Sequence, residues 1–260
     1  MPSPYKRLIT LGLLSGSLVF ATHLGAQSSS TGRMPVLVEL FTSEGCSSCP
    51  PADALLGRLD REQPVNTANI IVLEEHVDYW ESGGWHDRFS SSQFTDRQNN
   101  YLPRLKFQDP YTPQMIVDGA TQLLGSDGQK ALSVITQAAQ TPKISLTLAP
   151  PTVDGRRIGG SVSAASSAPL PKGDLYAVVV QPTASTEVKG GENGGKHLNH
   201  VGVVRSMQRI GKVQDLGSGA VKFNLNAPAN VSTDDLRVVV FAQAPGQGPI
   251  QGAASVSTKP

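Results

Sequence analysis

VELFTSEGCSSCPPADALL, residues 38–56, contains both cysteines of the 260-residue chain, Cys46 and Cys49. The apolar run PVLVELF (35–41) predicts a buried strand before them, and PADALLGRLDRE (51–62) predicts a helix after them. A loop that enters a helix offers unpaired backbone N–H groups and the positive end of the helix dipole, which favour a thiolate. The spacing therefore predicts a redox pair in which an exposed Cys46 attacks a disulfide and Cys49 resolves the mixed disulfide. The alternative is an inert disulfide, although so short a loop adds little stability.

Helix-like and strand-like segments alternate from this motif to about residue 140. The apolar patterns predict a strand (69–80), a helix (92–102), a hairpin (113–125) and a helix (126–140). The hairpin turns at Asp118-Gly119, the strongest short turn signal. This order predicts an α/β domain over residues 33–141, with an aromatic insertion at about 78–110.

The pattern changes after Thr141-Pro142. Seven short β-rich runs follow, separated by Gly, Pro, Asn and Asp, and no helical segment interrupts them. Residues 143–260 therefore predict an all-β domain that resembles an immunoglobulin-type sandwich.

The first 26 residues have the pattern of a secretory signal peptide. Lys6 and Arg7 precede an apolar stretch that is short for a membrane span, and small and polar residues follow it. Removal of residues 1–26 deletes these two cations and no acidic residue, so the formal charge of +1 becomes −1. The sequence predicts a secreted or periplasmic protein, with no membrane contact after cleavage and no electrostatic footprint for nucleic acid.

Thr112-Pro113 precedes the predicted hairpin. A cis peptide bond is accessible only before proline, and in that form the backbone of Thr112 would be free to pair with an extended substrate. The alternative is an ordinary proline at the start of an edge strand.

Taken together, these motifs resemble the thioredoxin fold over residues 34–140. ELFTSEGCSSCPPAD, HVDYW…GWHDRFSSSQFTDRQNNY, YTPQMIVDG and GENGGKHLNHVGVVR also resemble a secreted thioredoxin-like family known as domain of unknown function 1223. The resemblance implies that Cys46 is the nucleophile, Cys49 the resolving cysteine and Pro113 a cis-proline that holds substrate together with Thr112. It also implies that Glu39 is a buried proton acceptor. The chain departs from thioredoxin in having Ser-Ser between the cysteines and a double proline after them.

The aromatic insertion offers candidate substrate-binding residues. In a thioredoxin fold, the end of the second strand lies on the same side as the cysteines, so the insertion would form one wall of a substrate groove. The predicted wall residues are Asp78, Tyr79, Trp80, Trp85 and His86. The alternative is that the aromatic residues only anchor a long loop, although loops of this length are often functional.

Two further hypotheses concern the surroundings of the cysteines. Cys46, Cys49 and either His76 or His86 would suit Cu(I) or Zn²⁺, but the sequence does not bring these residues together, and we assign no metal site and no cofactor. The Gly-rich segment GGENGGKH (190–197) either reaches over the cysteines from the second half or forms an ordinary loop.

The sequence thus predicts an exported thiol–disulfide oxidoreductase. Its expected partners are exported protein thiols or disulfides and a redox partner. The alternatives are a thioredoxin-like copper or zinc carrier and a binding module without catalysis.

Overall fold

Helices and strands alternate up to residue 138, and the rest of the chain is almost entirely β-structure. The computed structural model describes Met1 and residues 32–165 and 169–259. Apart from Met1, the predicted signal peptide lies outside these residues. The helices are α1 (Pro50–Glu62), α2 (Ser92–Leu105) and α3 (Gly128–Ala138). The strands are β1 (Met34–Thr42), β2 (Ala68–His76), β3 (Gln114–Val117), β4 (Thr121–Leu124), β5 (Ser145–Leu148), β6 (Thr152–Asp154), β7 (Arg157–Ala165), β8 (Asp174–Glu187), β9 (His197–Lys212), β10 (Val221–Asn226), β11 (Arg237–Gln243) and β12 (Ile250–Ser257).

The first half places its helices and strands where the sequence predicts them. β1 pairs with β2 in parallel and with β3 in antiparallel orientation, and β4 completes the order β2-β1-β3-β4. The β3–β4 turn has positive φ at both Asp118 and Gly119, as a two-residue hairpin turn requires. α1 starts with Pro50 and Pro51, which suit the first helical turn because its N–H groups have no partner within the helix.

α1 and α3 cover one face of the first four strands. The side chains between them form a continuous apolar core that includes Leu40 of β1, Leu56 of α1 and Ile135 of α3. α2 contributes Phe94 to a separate core on the other face, where Leu37 also lies. The loop between β1 and α1, which contains the cysteines, is thus carried by buried elements on both sides.

The strands of the second half extend the same sheet. The order is β12-β11-β8-β9-β2-β1-β3-β4, and β9 joins β2 in parallel with Glu74 opposite Val203. A smaller sheet, β10-β7-β5 with β6 paired to β7, packs on β8 and β11 through a second apolar core. The chain is therefore a mixed α/β protein with one eight-stranded sheet and one four-stranded sheet.

This arrangement differs from the self-contained sandwich that the sequence predicts for residues 143–260. Two sheets do face each other there, but one of them continues into the first half. β8 and β11 are apolar on both faces: Val179 packs toward the small sheet, and Val178 belongs to a core on the opposite side that it shares with Leu37 of β1. Residues from 32 onward cluster as one compact unit. No helix of the described residues is long and apolar enough to cross a membrane.

Candidate functional site

Cys46 and Cys49 form a disulfide between the end of β1 and the start of α1. Cys49 occupies the N-cap position of α1, as the strand–loop–helix pattern predicts. The prediction of an exposed Cys46 is wrong, because both cysteines are 0% exposed. The sequence could not show this burial, since the covering residues come from distant segments.

One covering segment is the loop between β8 and β9, residues 188–196, which we call the cap loop. Asn193 is itself fully buried, and its side-chain amide donates hydrogen bonds of 2.9 Å to the carbonyl oxygens of both Glu44 and Cys46. Ser47 N–H donates to Glu192 Oε2 at 3.1 Å. Of the two interpretations of the Gly-rich segment, the structure therefore supports the one in which it reaches over the cysteines.

A second covering element is Trp80. Its indole N–H donates to Thr112 Oγ1 at 2.7 Å, and its Cβ lies so close to Gly45 that a Cβ on that glycine would be 3.2 Å away. The Thr112–Pro113 peptide bond is cis. Trp80 thus links the cysteine loop to the cis-proline loop, and both predicted residues Thr112 and Pro113 belong to this region.

The other predicted groove residues are spread over the insertion. Trp85 is half-buried and donates from its indole N–H to Glu44 Oε2 at 2.7 Å, so it contacts the cysteine loop. Asp78 and Tyr79 are bonded to α2 instead, through Thr95 and Gln98 respectively. The fifth predicted wall residue, His86, is exposed, and its Nδ1 lies 3.0 Å from Glu81 Oε1.

Glu39 lies on the face of β1 that α2 covers. It accepts hydrogen bonds from Arg97 Nε at 2.6 Å and from Tyr101 Oη at 2.7 Å, and all three side chains are buried. Successive side chains of a strand point to opposite faces. Thr42, three residues after Glu39, faces α1, so Glu39 points away from α1. Glu39 is therefore committed to an internal ion pair.

Asp53 is a buried acid next to the cysteines that no sequence motif marks as functional. Its backbone N–H donates to the carbonyl oxygen of Cys49, and its carboxylate accepts from Thr42 Oγ1 at 2.8 Å. Burial, followed by repulsion from Glu74, raises the pKa of Asp53 from its ordinary value of 3.8 to about 7. Asp53 also reaches the wall of a cavity of about 460 Å³ between α1 and β9.

A buried cluster of histidines and acids adjoins the cysteine loop, formed by Glu74 and His76 of β2 and His200 of β9. Glu74 Oε1 lies 2.7 Å from His200 Nδ1 and 3.4 Å from His76 Nε2. Glu44 Oε1 approaches His200 Nε2 at 3.5 Å, and Asp87 Oδ2 approaches His76 Nδ1 at 2.7 Å. All five side chains are at most 1% exposed.

The histidines and acids of this cluster shift each other's pKa. Burial opposes ionisation, but the neighbouring His76 lowers the pKa of Asp87 to about 2. Burial likewise opposes protonation of His200, whereas Glu74 and Glu44 raise its pKa to about 9. A signal for this cluster is present in the sequence: three consecutive ionisable residues, Glu74, Glu75 and His76, lie within a strand predicted to be buried.

The structure does not assemble the hypothetical metal site of two thiolates and an imidazole. Both sulfurs are joined in the disulfide. His76 is bonded to Asp87 within the cluster, and His86 is exposed.

A solved structure from a bacterium has a similar overall fold. A structural-genomics protein from Agrobacterium tumefaciens is 24% identical, with a TM-score of 0.66, over 87% of this chain and 96% of that one. At that identity the likeness concerns the fold alone. A domain of the outer membrane lipoprotein Omp28 from Porphyromonas gingivalis is 13% identical, with a TM-score of 0.27, over 46% of this chain and 90% of that one.

Sequence comparison identifies the family. A search of curated proteins gives no match. The family described as "Protein of unknown function (DUF1223)" matches residues 37–243, which is most of the chain and includes the cysteines, the cis-proline, the cap loop and the buried cluster. The protein therefore belongs to the DUF1223 family.

Proposed function

We propose that the protein is an exported, thioredoxin-like thiol–disulfide oxidoreductase in which Cys46 and Cys49 are the redox pair. The observation that carries the proposal is the position of the disulfide, between a central strand and the N-terminus of α1. The order β2-β1-β3-β4, with α1 and α3 on one face of these strands, supports a thioredoxin-like assignment for residues 34–138. The signal-peptide pattern supports export into a compartment where disulfides persist.

The exchange proceeds in two balanced steps. The thiolate of reduced Cys46 attacks a sulfur of the partner's disulfide, a mixed disulfide forms and one partner thiolate leaves. The thiolate of Cys49 then attacks Cys46 Sγ, which releases the second partner thiolate and restores the internal disulfide. Two electrons pass to the partner, and an exported redox partner must return them to the protein. With a dithiol substrate the same steps run in reverse.

Exchange requires the cap loop to move. Both sulfurs are inaccessible while Asn193 binds the loop that carries them. We therefore expect a substrate to gain access when the cap loop opens, with the backbone of Thr112 then free to pair with it. Trp80 and Trp85 form the remaining wall, since both contact the cysteine loop.

Asp53 is better placed than Glu39 to accept the proton of Cys49. Asp53 lies one helical turn after Cys49 on α1, whereas Glu39 is bound to Arg97 and Tyr101 on the opposite face of β1. A carboxylate with a pKa near the operating pH is suited to proton transfer. The cavity beside Asp53 offers a path by which the proton can leave.

The first test is the reduction potential of the Cys46–Cys49 pair, measured by glutathione titration of the whole protein. The second test uses the Cys49→Ser variant to trap the mixed disulfide with a partner. We expect a potential between about −120 and −270 mV, the range of known exchange catalysts. The Cys49→Ser variant should accumulate a mixed disulfide at Cys46, while the double variant with Cys46→Ser should not. A disulfide that stays closed below about −300 mV would refute the proposal and assign the pair a structural role.

A further inference from the structure

We propose that Glu74, His76 and His200 bind a divalent metal ion of the zinc class beside the disulfide. The three side chains each offer a ligand atom, and these atoms lie within 4.8 Å of one another. The inference does not depend on the proposed redox function, because none of the ligands is a cysteine.

The spacing between the ligand atoms of Glu74 and His76 suits such an ion. Four ligands at about 2.1 Å from zinc are about 3.4 Å apart from each other in tetrahedral geometry. His76 Nε2 lies 3.4 Å from Glu74 Oε1, which matches this geometry. His200 Nδ1 lies 2.7 Å from the same oxygen, a hydrogen bond that must lengthen for both atoms to bind the same ion. Glu44 offers a further carboxylate oxygen, 3.5 Å from His200 Nε2.

Unsatisfied polar atoms in this cluster also indicate a ligand. Among the described residues, Nε2 of His76, Nε2 of His200 and Oε1 of Glu44 have no hydrogen-bond partner, although all three side chains are fully buried. Buried polar atoms are nearly always paired, since an unpaired one costs about 1–3 kcal/mol. A cation bound by His76 Nε2 and Glu74 would give the His76 nitrogen a partner.

The charges of the cluster favour a dication. Glu44, Glu74 and Asp87 bring three buried carboxylates together, and within the described part of the chain only the two histidines form ion pairs with them. A divalent ion bound here would place further positive charge among these three carboxylates.

The surrounding residues are those expected around a metal-bound histidine. Asp87 accepts from the backbone N–H groups of Glu44 and Phe89, and it fixes His76 through Nδ1 so that Nε2 faces Glu74. A carboxylate behind a histidine ligand is the usual orienting partner. The ring of Phe89 packs against both imidazoles, with centroid distances of 5.2 and 5.6 Å, and excludes water.

Two imidazoles and one or two carboxylates specify the class of ion. This donor set suits zinc, whereas a site for calcium or magnesium would consist mainly of oxygen ligands. The ion would join β2 to β9 and, through Glu44, reach the loop of Cys46.

The test measures zinc in the whole protein after refolding. The protein is unfolded with chelator, its disulfide left intact, refolded in zinc chloride and desalted, and zinc is measured by mass spectrometry. We expect about one zinc per chain in the wild type. Because His86 is exposed outside the cluster, His86→Gln is the matched control and should bind equally. His76→Gln and His200→Gln should lose the metal, with folding checked by circular dichroism.

A milder variant and a second metal cover the case in which a ligand variant misfolds. Asp87→Asn keeps the three ligands and should weaken zinc binding by about 10- to 100-fold. Cobalt in the wild-type protein should give visible d–d absorption without a sulfur-to-cobalt charge-transfer band, and Cys49→Ser should leave that spectrum unchanged. If wild-type protein keeps no more zinc than His200→Gln, or if cobalt shows sulfur ligation, the proposal is wrong.

Discussion

Replacement of Asn193 by alanine should expose the disulfide. The side chain donates two buried hydrogen bonds, to the carbonyl oxygens of Glu44 and Cys46, and each such bond contributes about 0.5–1.5 kcal/mol. Opening of the cap loop should therefore become easier by about 1–3 kcal/mol, since alanine makes neither bond. At about 1.4 kcal/mol per factor of ten, the open population should rise about 5- to 150-fold.

The assay is the rate at which dithiothreitol reduces the disulfide in native buffer, with free thiols trapped by alkylation and counted by mass spectrometry. When opening is rapid and reversible, this rate is proportional to the open population. The Asn193→Ala variant should be reduced about 5- to 150-fold faster than the wild type. Asn199→Ala is the matched control, because Asn199 is an exposed asparagine of the adjacent strand β9, and it should leave the rate unchanged.

Thermal unfolding of the same variants separates local opening from global destabilisation. If the Asn193→Ala rate gain is local, reduction should accelerate well below the melting transition. An unchanged rate in a folded Asn193→Ala protein would show that the cap loop does not shield the sulfurs. The access argument of the proposed function would then be wrong.

Three further variants test the interior of the first half. Asp53→Asn should remove one pH-dependent contribution to stability. Because the pKa of Asp53 is raised in the folded protein, its contribution to wild-type stability is full below about pH 4 and falls by about 1.4 kcal/mol per pH unit up to about pH 7. The difference between wild type and variant in urea titrations at several pH values measures this contribution. Arg97→Met leaves Glu39 buried without its cation and should cost about 3–5 kcal/mol in urea unfolding; a loss below about 1 kcal/mol would contradict this. Gly125→Ala would bring a Cβ within 2.8 Å of a core side chain and should cost about 1–3 kcal/mol, while Gly83→Ala, in open space, should be neutral in the same titration.

The local elements could be predicted because their signals are local. The apolar run of β1, the two prolines that open α1 and the Asp118-Gly119 turn each specify a backbone conformation through neighbouring residues. The position of the cysteine pair could be predicted for the same reason, because both cysteines lie within four residues of the start of α1.

Contacts between distant segments could not be predicted in the same way. Asn193 and Cys46 are 147 residues apart, and Glu74 and His200 are 126 residues apart. No local pattern specifies that β9 pairs with β2 rather than closing a separate sandwich. The exposure of Cys46 was predicted wrongly for this reason, and the partner of Glu39, 58 residues away in α2, was missed.

The pairing of β9 with β2 makes the second half part of the site. This pairing places His200 against Glu74 and Glu44. β9 also begins directly after the cap loop, which binds the backbone of Cys46. Residues 33–141 alone contain the cysteines but neither the cap nor the second histidine of the cluster. An isolated pair at a helix N-terminus would be exposed to solvent, whereas here Cys46 and Cys49 are covered by a loop that another part of the chain supplies. Covering the disulfide is thus a structural role of the second half, because the cap loop leads directly into the strand that joins the two halves of the sheet.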